Sequence, residues 1–414
     1  MRILLITLFY EPLNNIAVTR LKAFQKYLTE FGHEVDVLTR HYSKKDMHTS
    51  NLEKGMLAGD DFVGDYYKNG NIIYTKYKTL NSKLKFSNKL PKGIKGLYNL
   101  SQLDVFHYSF VEYGIKAYED EFKNNKHDVI IASSPVPAAL LLAKEINKKF
   151  GVKWISDFRD SYIMGDESPL FRMIKNKVLN KVIKSASGYL FLSDGMRDIN
   201  MKVFNSLNKK KPQAKIYNGT SIFVEEDLDP VTVDKINDFK KRYKYVVAYT
   251  GSLYKQANLD FFLKNIDKNI TEDFIFILAG VQEEFKNEIV KNFNNKVNIH
   301  FFDKTSLSTS VYLQKSADFL LLNIWKNKYS GFSGKVFEYL NADTRIIVDK
   351  ETPTDLVVFT KDYKNIYFCN ENKERYNSIL KSPPDIMPIT DLQNIELSRK
   401  FQVSKLNEFI LNII

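Results

Sequence analysis

Short apolar runs alternate along this chain with longer segments whose apolar residues recur every three or four positions. The runs are of strand length and the segments between them have helical period. Candidate strands in the first half are 3–7, 35–39, 72–76, 129–133, 154–157, 189–193 and 215–217. In the second half they are 246–250, 274–279, 298–302, 319–324, 346–348 and 366–368. Strands that read as continuous apolar runs are buried on both faces, and helices between them make crossovers, so the pattern predicts parallel sheets in an α/β architecture. The pattern breaks near 221–234, a stretch that is acidic, contains Pro230 and follows the Asn218-Gly219 turn. Two Rossmann-like, doubly wound domains of similar size are therefore expected, over 1–222 and 223–390. The last segment, 391–414, reads as a helix with Phe401, Leu406, Phe409, Ile410 and Ile413 on its apolar side. Ligands of such sheets bind beyond the carboxyl ends of the strands, and two sheets facing each other would make that place an interdomain cleft.

Composition adds limits. Of 414 residues, 44% are hydrophobic and 14% aromatic, enough for two real cores. The single cysteine, Cys369, excludes an internal disulfide and a multi-cysteine zinc site, and fits a cytoplasmic setting. The opening apolar run is too short for the core of a signal peptide, and no run approaches the length of a membrane helix. The net charge of +12 is one-sided: residues 1–220 carry a net +13 and the remainder −1. A basic half fits an anionic partner, whether lipid headgroups, an acidic substrate or nucleic acid, and equally a lysine-rich solubilising surface. No nucleic-acid motif accompanies the charge, so no nucleic-acid partner is expected. A peripheral place on an anionic inner membrane surface is. Two amphipathic stretches bear on this, 83–98 with its lysines among Phe86, Leu90, Ile94 and Leu97, and 171–184 with an Ile174, Val178, Leu179, Val182 and Ile183 stripe. The second is also what a helix packed on a sheet with solvated lysines looks like.

The chemistry concentrates in four places. Residues 329–348 begin as a small-residue loop with Ser330, Gly331, Ser333 and Gly334, continue as a helix and end as a strand. Lys335, Glu338 and Asn341 fall three apart and so share one helix face. A glycine-rich loop entering a helix offers N–H groups to an anion, Lys335 adds a positive charge, and Glu338 could accept bonds from paired sugar hydroxyls. The Walker spacing is absent. The second place is Trp154-Ile-Ser-Asp-Phe-Arg-Asp-Ser-Tyr162, at the carboxyl end of a strand. Asp157, Arg159 and Asp160 there could bind or activate an acceptor hydroxyl or clamp phosphate, or form a structural ion-pair knot. The third is the loop after the first strand, Phe9-Tyr-Glu-Pro-Leu-Asn-Asn15, which lacks the Gly-x-Gly-x-x-Gly of a nicotinamide site. The last is Tyr249-Thr-Gly-Ser-Leu-Tyr-Lys-Gln256, where a strand ends in a glycine turn; Ala279-Gly280 and Phe302-Asp303 end the strands after it.

Ser333-Gly-Lys-Val-Phe-Glu-Tyr-Leu340, followed by Arg345-Ile-Ile-Val348, resembles the donor-site segment of GT-B fold glycosyltransferases of the retaining family 4 group. The Asp157–Asp160 cluster is similar to the Asp-x-Arg-Asp of many members. The resemblance implies two GT-B domains, with the terminal helix returning to the first. It implies that Glu338 holds the donor's ribose, and that Lys335 with Gly331, Ser333 and Gly334 cradles the diphosphate. It also places Asn14 and Asn15 where paired glycines usually face the donor phosphates, and Gly251, Ser252 and Lys255 at the diphosphate. Asp157, Arg159 and Asp160 become the catalytic-side candidates. Two positions depart from the family pattern: Ser330 stands where a first glutamate is usual, and Ser252 where an arginine is. The implied activity moves a sugar from a nucleoside diphosphate-sugar to a hydroxyl of a saccharide or lipid-linked acceptor in surface polysaccharide synthesis. No cofactor and no essential metal are expected, since basic side chains and helix N–H groups can serve the diphosphate. A nucleotide-sugar epimerase or hydrolase and a non-catalytic nucleotide-sugar-binding protein share the same architecture and stand as alternatives.

Overall fold

The structure, a computed structural model, describes residues 1–13, 16–42, 62–77, 108–134, 137–160, 169–204, 207, 210–220, 227–293, 296–325, 331–351 and 354–414. The chain forms two compact units, Met1–Asn218 with Lys400–Ile414, and Gly219–Arg399.

The first unit is built on β1 (Arg2–Ile6), β2 (Glu34–Arg40), β3 (Tyr66–Asn69), β4 (Ile72–Thr75), β5 (Val129–Ser133), β6 (Lys153–Phe158), β7 (Gly188–Phe191) and β8 (Gln213–Lys215). Their order in the sheet is β3-β4-β2-β1-β5-β6-β7-β8. All neighbours run parallel except the edge pair β3 and β4, which is antiparallel with Tyr66 opposite Thr75. The apolar runs have the physical cause inferred for them. In β1, Leu4 and Ile6 enter one core while Ile3 and Leu5 enter another on the opposite face. Ile130 and Ala132 of β5 part from Val129 and Ile131 in the same way. A strand covered by helices on both sides has no face left for polar residues.

The second unit carries β9 (Tyr245–Thr250), β10 (Phe274–Ala279), β11 (Asn298–Phe302), β12 (Phe319–Leu322), β13 (Arg345–Val348) and β14 (Ile366–Phe368). The order is β11-β10-β9-β12-β13-β14, parallel throughout. Its core gathers Val247, Tyr249, Phe276, Leu278, Phe319 and Leu321 from the central strands.

Every strand expected from the apolar runs is present. The addition is β3, whose Tyr-Tyr-Lys-Asn is partly or fully exposed along its length and so carries no apolar signature. The last segment differs from the single helix expected. A short helix, Asp391–Leu397, begins with a Thr390–Gln393 capping box, and a second helix, Arg399–Leu411, follows. Ser398 separates them by pairing with Thr220, whose N–H also bonds the Leu397 carbonyl at 2.7 Å. The later helix buries Val403, Leu406, Phe409 and Ile410 among Ile3, Leu5 and Val37 of the first unit. His33 bonds Asn407 of that helix at 2.6 Å, a structural contact. The 171–184 stripe lies in the helix Pro169–Ile183, with Leu179, Val182 and Ile183 buried in the first core and Lys177 and Lys181 exposed. It is a packing face. The 83–98 stretch lies outside the described residues, among which no helix is long and apolar enough to cross a membrane.

A buried ion pair fixes the carboxyl end of the first sheet. Arg20 and Asp157 are 1% and 0% exposed. The Arg20 fork donates to Asp157 at 2.9 and 3.3 Å and to the Ile216 and Tyr217 carbonyls at 2.9 and 3.1 Å. Ser133 Oγ donates to the same carboxylate at 2.9 Å. One knot thus ties the helix Ile16–Glu30, β5, β6 and the chain after β8. Removing one partner leaves the other charge buried and unpaired. Arg20→Met is expected to lower stability by about 3–5 kcal/mol, read in urea unfolding through Trp154 in a Trp325→Phe background. An unchanged midpoint would contradict this account.

Candidate functional site

β9 delivers Tyr249 and Thr250 to the carboxyl edge of the second sheet, and Gly251 turns the chain there at φ +102°. Opposite it starts the helix Lys335–Leu340. Val336, Phe337, Tyr339 and Leu340 are buried in the unit. That leaves Lys335 and Glu338, three apart, as the part-buried polar positions of its first turn.

Lys335 Nζ donates to Tyr249 Oη at 2.5 Å and to the Ser252 carbonyl at 3.3 Å. It also stands 4.1 Å from the centroid of the Tyr249 ring. Tyr249 Oη in turn donates to the Ser252 carbonyl at 2.8 Å. Gly251 is required here twice over, by its positive φ and by space. A Cβ on it would come within 2.9 Å of Lys335 Cε. Loss of water pushes the Lys335 ammonium down to about 7, against the pull of the Glu338 carboxylate, which favours the charged form. Burial likewise raises the Tyr249 hydroxyl well above its ordinary value, so it stays a neutral hydrogen-bonding partner. The end of β9 is held from behind. Tyr339 Oη accepts the Thr250 N–H at 3.0 Å, and Gln314 Nε2 donates to Thr250 Oγ1 at 2.9 Å.

The loop before the helix is a smaller anion cradle than the sequence suggests. The Gly331 N–H donates to Asp355 Oδ2 at 2.7 Å. The Val336 and Phe337 N–H groups bond the Ser333 and Gly334 carbonyls, both at 3.2 Å. The helix has six residues, and Gly334 at its N-cap supplies no side-chain bond. The positive character of this corner therefore comes chiefly from the Lys335 side chain. Ser252 contributes its carbonyl oxygen, and Lys255 is exposed on the turn between Tyr254 and Ala257. Asn14, Asn15 and Ser330 lie outside the described residues. Of the strand ends after β9, Gly280 packs against Gly251, and Asp303 accepts from Lys286 Nζ at 2.6 Å.

In the first unit, Asp157 spends both carboxylate oxygens on Arg20 and Ser133, so its present function is to position the loop that follows. Arg159, 6% exposed, stands 5.8 Å from the Phe9 ring and 3.8 Å from Asp160 Oδ2. The structure thus brings the loop after β1 and the loop after β6 together. The Asp160 carboxylate is half-exposed.

Three contributors escaped the sequence reading. Tyr249 looks like one more apolar strand residue. Arg20 lies far from Asp157 along the chain. Tyr339 looks like part of the helix's apolar face. A tyrosine two residues before a strand-ending glycine was the one available hint.

With two α/β domains on parallel sheets, the chain has the GT-B fold. Along its whole length it is similar to HepE from Anabaena, solved in complex with UDP, with a TM-score of 0.61 at 11% identity over 100% of this chain and 99% of that one. It is also similar to the UDP-GlcNAc 2-epimerase of Methanocaldococcus jannaschii, with a TM-score of 0.56 at 10% identity over 99% and 100% of the two chains. A third likeness is to WaaG, a glycosyltransferase involved in lipopolysaccharide biosynthesis, with a TM-score of 0.56 at 11% identity over 98% and 94%. At these identities the likeness is one of fold. No protein-family profile and no curated protein sequence matches the chain.

The Lys335 environment carries a stability consequence. Its folded-state value, about 7, lies below the 10.5 of a free lysine. The unfolded chain therefore binds more protons between those limits, and stability from this group rises with pH across that window. Below it the cost of the buried ammonium is fully present. Lys335→Met is expected to raise the melting temperature of the nucleotide-free protein at pH 7, with the gain shrinking as pH approaches 10. A lowered melting temperature at pH 7 would mean that the bonds of the ammonium outweigh its desolvation.

Proposed function

We propose that this chain is a glycosyltransferase of the retaining family 4 type, moving a sugar from a nucleoside diphosphate-sugar to a hydroxyl of a saccharide or lipid-linked acceptor. The observation that carries the reading is the Lys335 ammonium, part-buried between Tyr249 and the Ser252 carbonyl at the carboxyl edge of a GT-B sheet. An ammonium with its water stripped away responds strongly to an incoming diphosphate, which restores the charged form. In transfer, the bond from the sugar's anomeric carbon to the diphosphate breaks and a bond to the acceptor oxygen forms. The acceptor's proton passes to the departing phosphate oxygen. Negative charge grows on the leaving group as this proceeds, so Lys335 acts more on the transition state than on the bound donor. Glu338, one turn along the same helix face, accepts from the ribose hydroxyls. Arg159 and Asp160 are assigned to the acceptor, with Asp157 and Arg20 fixing their loop. The basic first half would draw the protein to an anionic inner membrane surface, where surface polysaccharide is assembled.

The likeness to UDP-bound HepE and to WaaG supports a nucleotide-sugar reaction. The likeness to a UDP-GlcNAc 2-epimerase supports a second reading on the same site, isomerisation of the donor without transfer.

Uridine or guanosine diphosphate at about a hundred times its Kd is expected to raise the melting temperature by roughly 5–10 °C. Glu338→Ala is expected to abolish that shift, and an unchanged shift in the variant would remove Glu338 from the site. Chromatography of donor and products separates the two reactions. Glycosylated product only when acceptor is present means transfer, whereas an isomerised sugar nucleotide without acceptor means epimerisation.

A further inference from the structure

The two tryptophans of the chain live in opposite circumstances. Trp154 is 0% exposed in the first unit, while Trp325, just past β12, is 39% exposed. Trp325 packs on Tyr254, itself 45% exposed, with ring centroids 4.9 Å apart and planes inclined by 40°. Neither ring hangs on a loose loop. Tyr254 and Ala257 bond each other across a tight turn at 2.9 and 3.4 Å. Asn323 Nδ2 reaches over from the end of β12 to the Ala257 carbonyl at 2.6 Å. Gln282 grips the residue before Tyr254, bonding Leu253 N–H and carbonyl at 2.9 and 3.1 Å. The residue before Trp325 is held as firmly, its Ile324 N–H donating to Asp349 Oδ1 at 2.9 Å.

A fold that pins two large aromatic rings and leaves both open to water has built a surface for something flat. The pair adjoins the Lys335 corner. The Ser252 carbonyl that receives the ammonium is two residues from Tyr254, a Cα separation of at most about 7 Å for an extended chain. A diphosphate at Lys335 carries its sugar one bond beyond its outer phosphate, within that reach. A pyranose also suits the surface chemically. Its C–H face is weakly positive and meets the negative face of an aromatic ring, while its hydroxyls need polar neighbours at the edge. Exposed Lys255, Gln256 and Asn258 supply that edge. A nucleobase would stack equally well, but it sits at the far end of the nucleotide from the sugar-bearing phosphate.

We propose that Tyr254 and Trp325 form a stacking platform for the pyranose ring of the nucleotide-linked sugar. This rests on the nucleotide reading of the Lys335 site and adds the part of the site that recognises the sugar. The test is titration of the full chain with UDP, UDP-glucose and UDP-N-acetylglucosamine by calorimetry, followed in parallel by tryptophan emission, in which the exposed Trp325 is the responsive fluorophore. At least one sugar nucleotide is expected to bind about tenfold more tightly than UDP and to shift the emission. Tyr254→Ala and Trp325→Ala should each erase most of that advantage while leaving UDP affinity within about twofold, and Trp325→Phe should keep it. An advantage that survives both alanine variants overturns the platform, as does an equal loss for UDP and sugar nucleotide, which would point to base stacking. UDP binding with no gain from either sugar also sinks the platform while sparing the nucleotide reading. Failure of all three ligands to bind sinks the nucleotide reading and the platform with it.

Discussion

A lysine ammonium held out of water is unfavourable unless something compensates it, and much of the second unit's carboxyl edge is shaped by that demand. Lys335 meets a neutral phenol, an aromatic face and one backbone carbonyl, and among the described residues no carboxylate bonds it at contact distance. This is partial compensation. Gly251 has no side chain because the lysine stem passes where one would be. Tyr249 stays protonated because it too is buried. Thr250 is fixed from behind by Tyr339 and Gln314, so the strand end cannot relax toward the charge. Partly compensated charges of this kind are a feature by which candidate functional sites are recognised.

The parallel sheet explains why the polar groups collect where they do. Buried on both faces, its strands hold an ionisable residue inside only where a partner answers it, as His127 and Arg2 answer Asp36 in β2, and other polar groups gather at the strand ends. The ends of β6 and β9 answer their charges to different degrees. Asp157, at the end of β6, is completely buried, and every part of its charge is answered by Arg20 and Ser133. Nothing in that arrangement waits for a ligand. At the end of β9 the cation meets Tyr249 and the Ser252 carbonyl, and the Glu338 carboxylate on the same helix face favours its charged form.

The sheets were legible because burial on both faces leaves short apolar runs bounded by turn signals. β3 escaped because an exposed edge strand has no such signature, and its pairing is decided by β4. The break at Ser398 escaped for a related reason. The local sequence would continue the helix, and the distant Thr220 pairs with the backbone there. The site divided along the same line. That Lys335 and Glu338 share one face of a short helix was legible from their spacing. The roles of Tyr249 and Arg20 were not, since their meaning comes from what the fold sets against them. Gly331, Val336 and Phe337 find protein acceptors for their N–H groups that a sequence does not display.

The departures from the family pattern make one further point about where the electrostatic work falls. Ser252 offers a carbonyl where an arginine is usual, and Lys255 is exposed on its turn. A diphosphate arriving at this edge would therefore rely on one near, dehydrated ammonium where relatives of the pattern have a fork and a second amine. A single cation could serve because its part-buried setting strengthens each remaining interaction. The same burial lowers its proton affinity toward neutrality, and a bound diphosphate would restore the charged form. A lysine whose proton affinity is lowered by burial avoids part of the cost of a permanent buried charge, and a phosphate beside it would offset the rest.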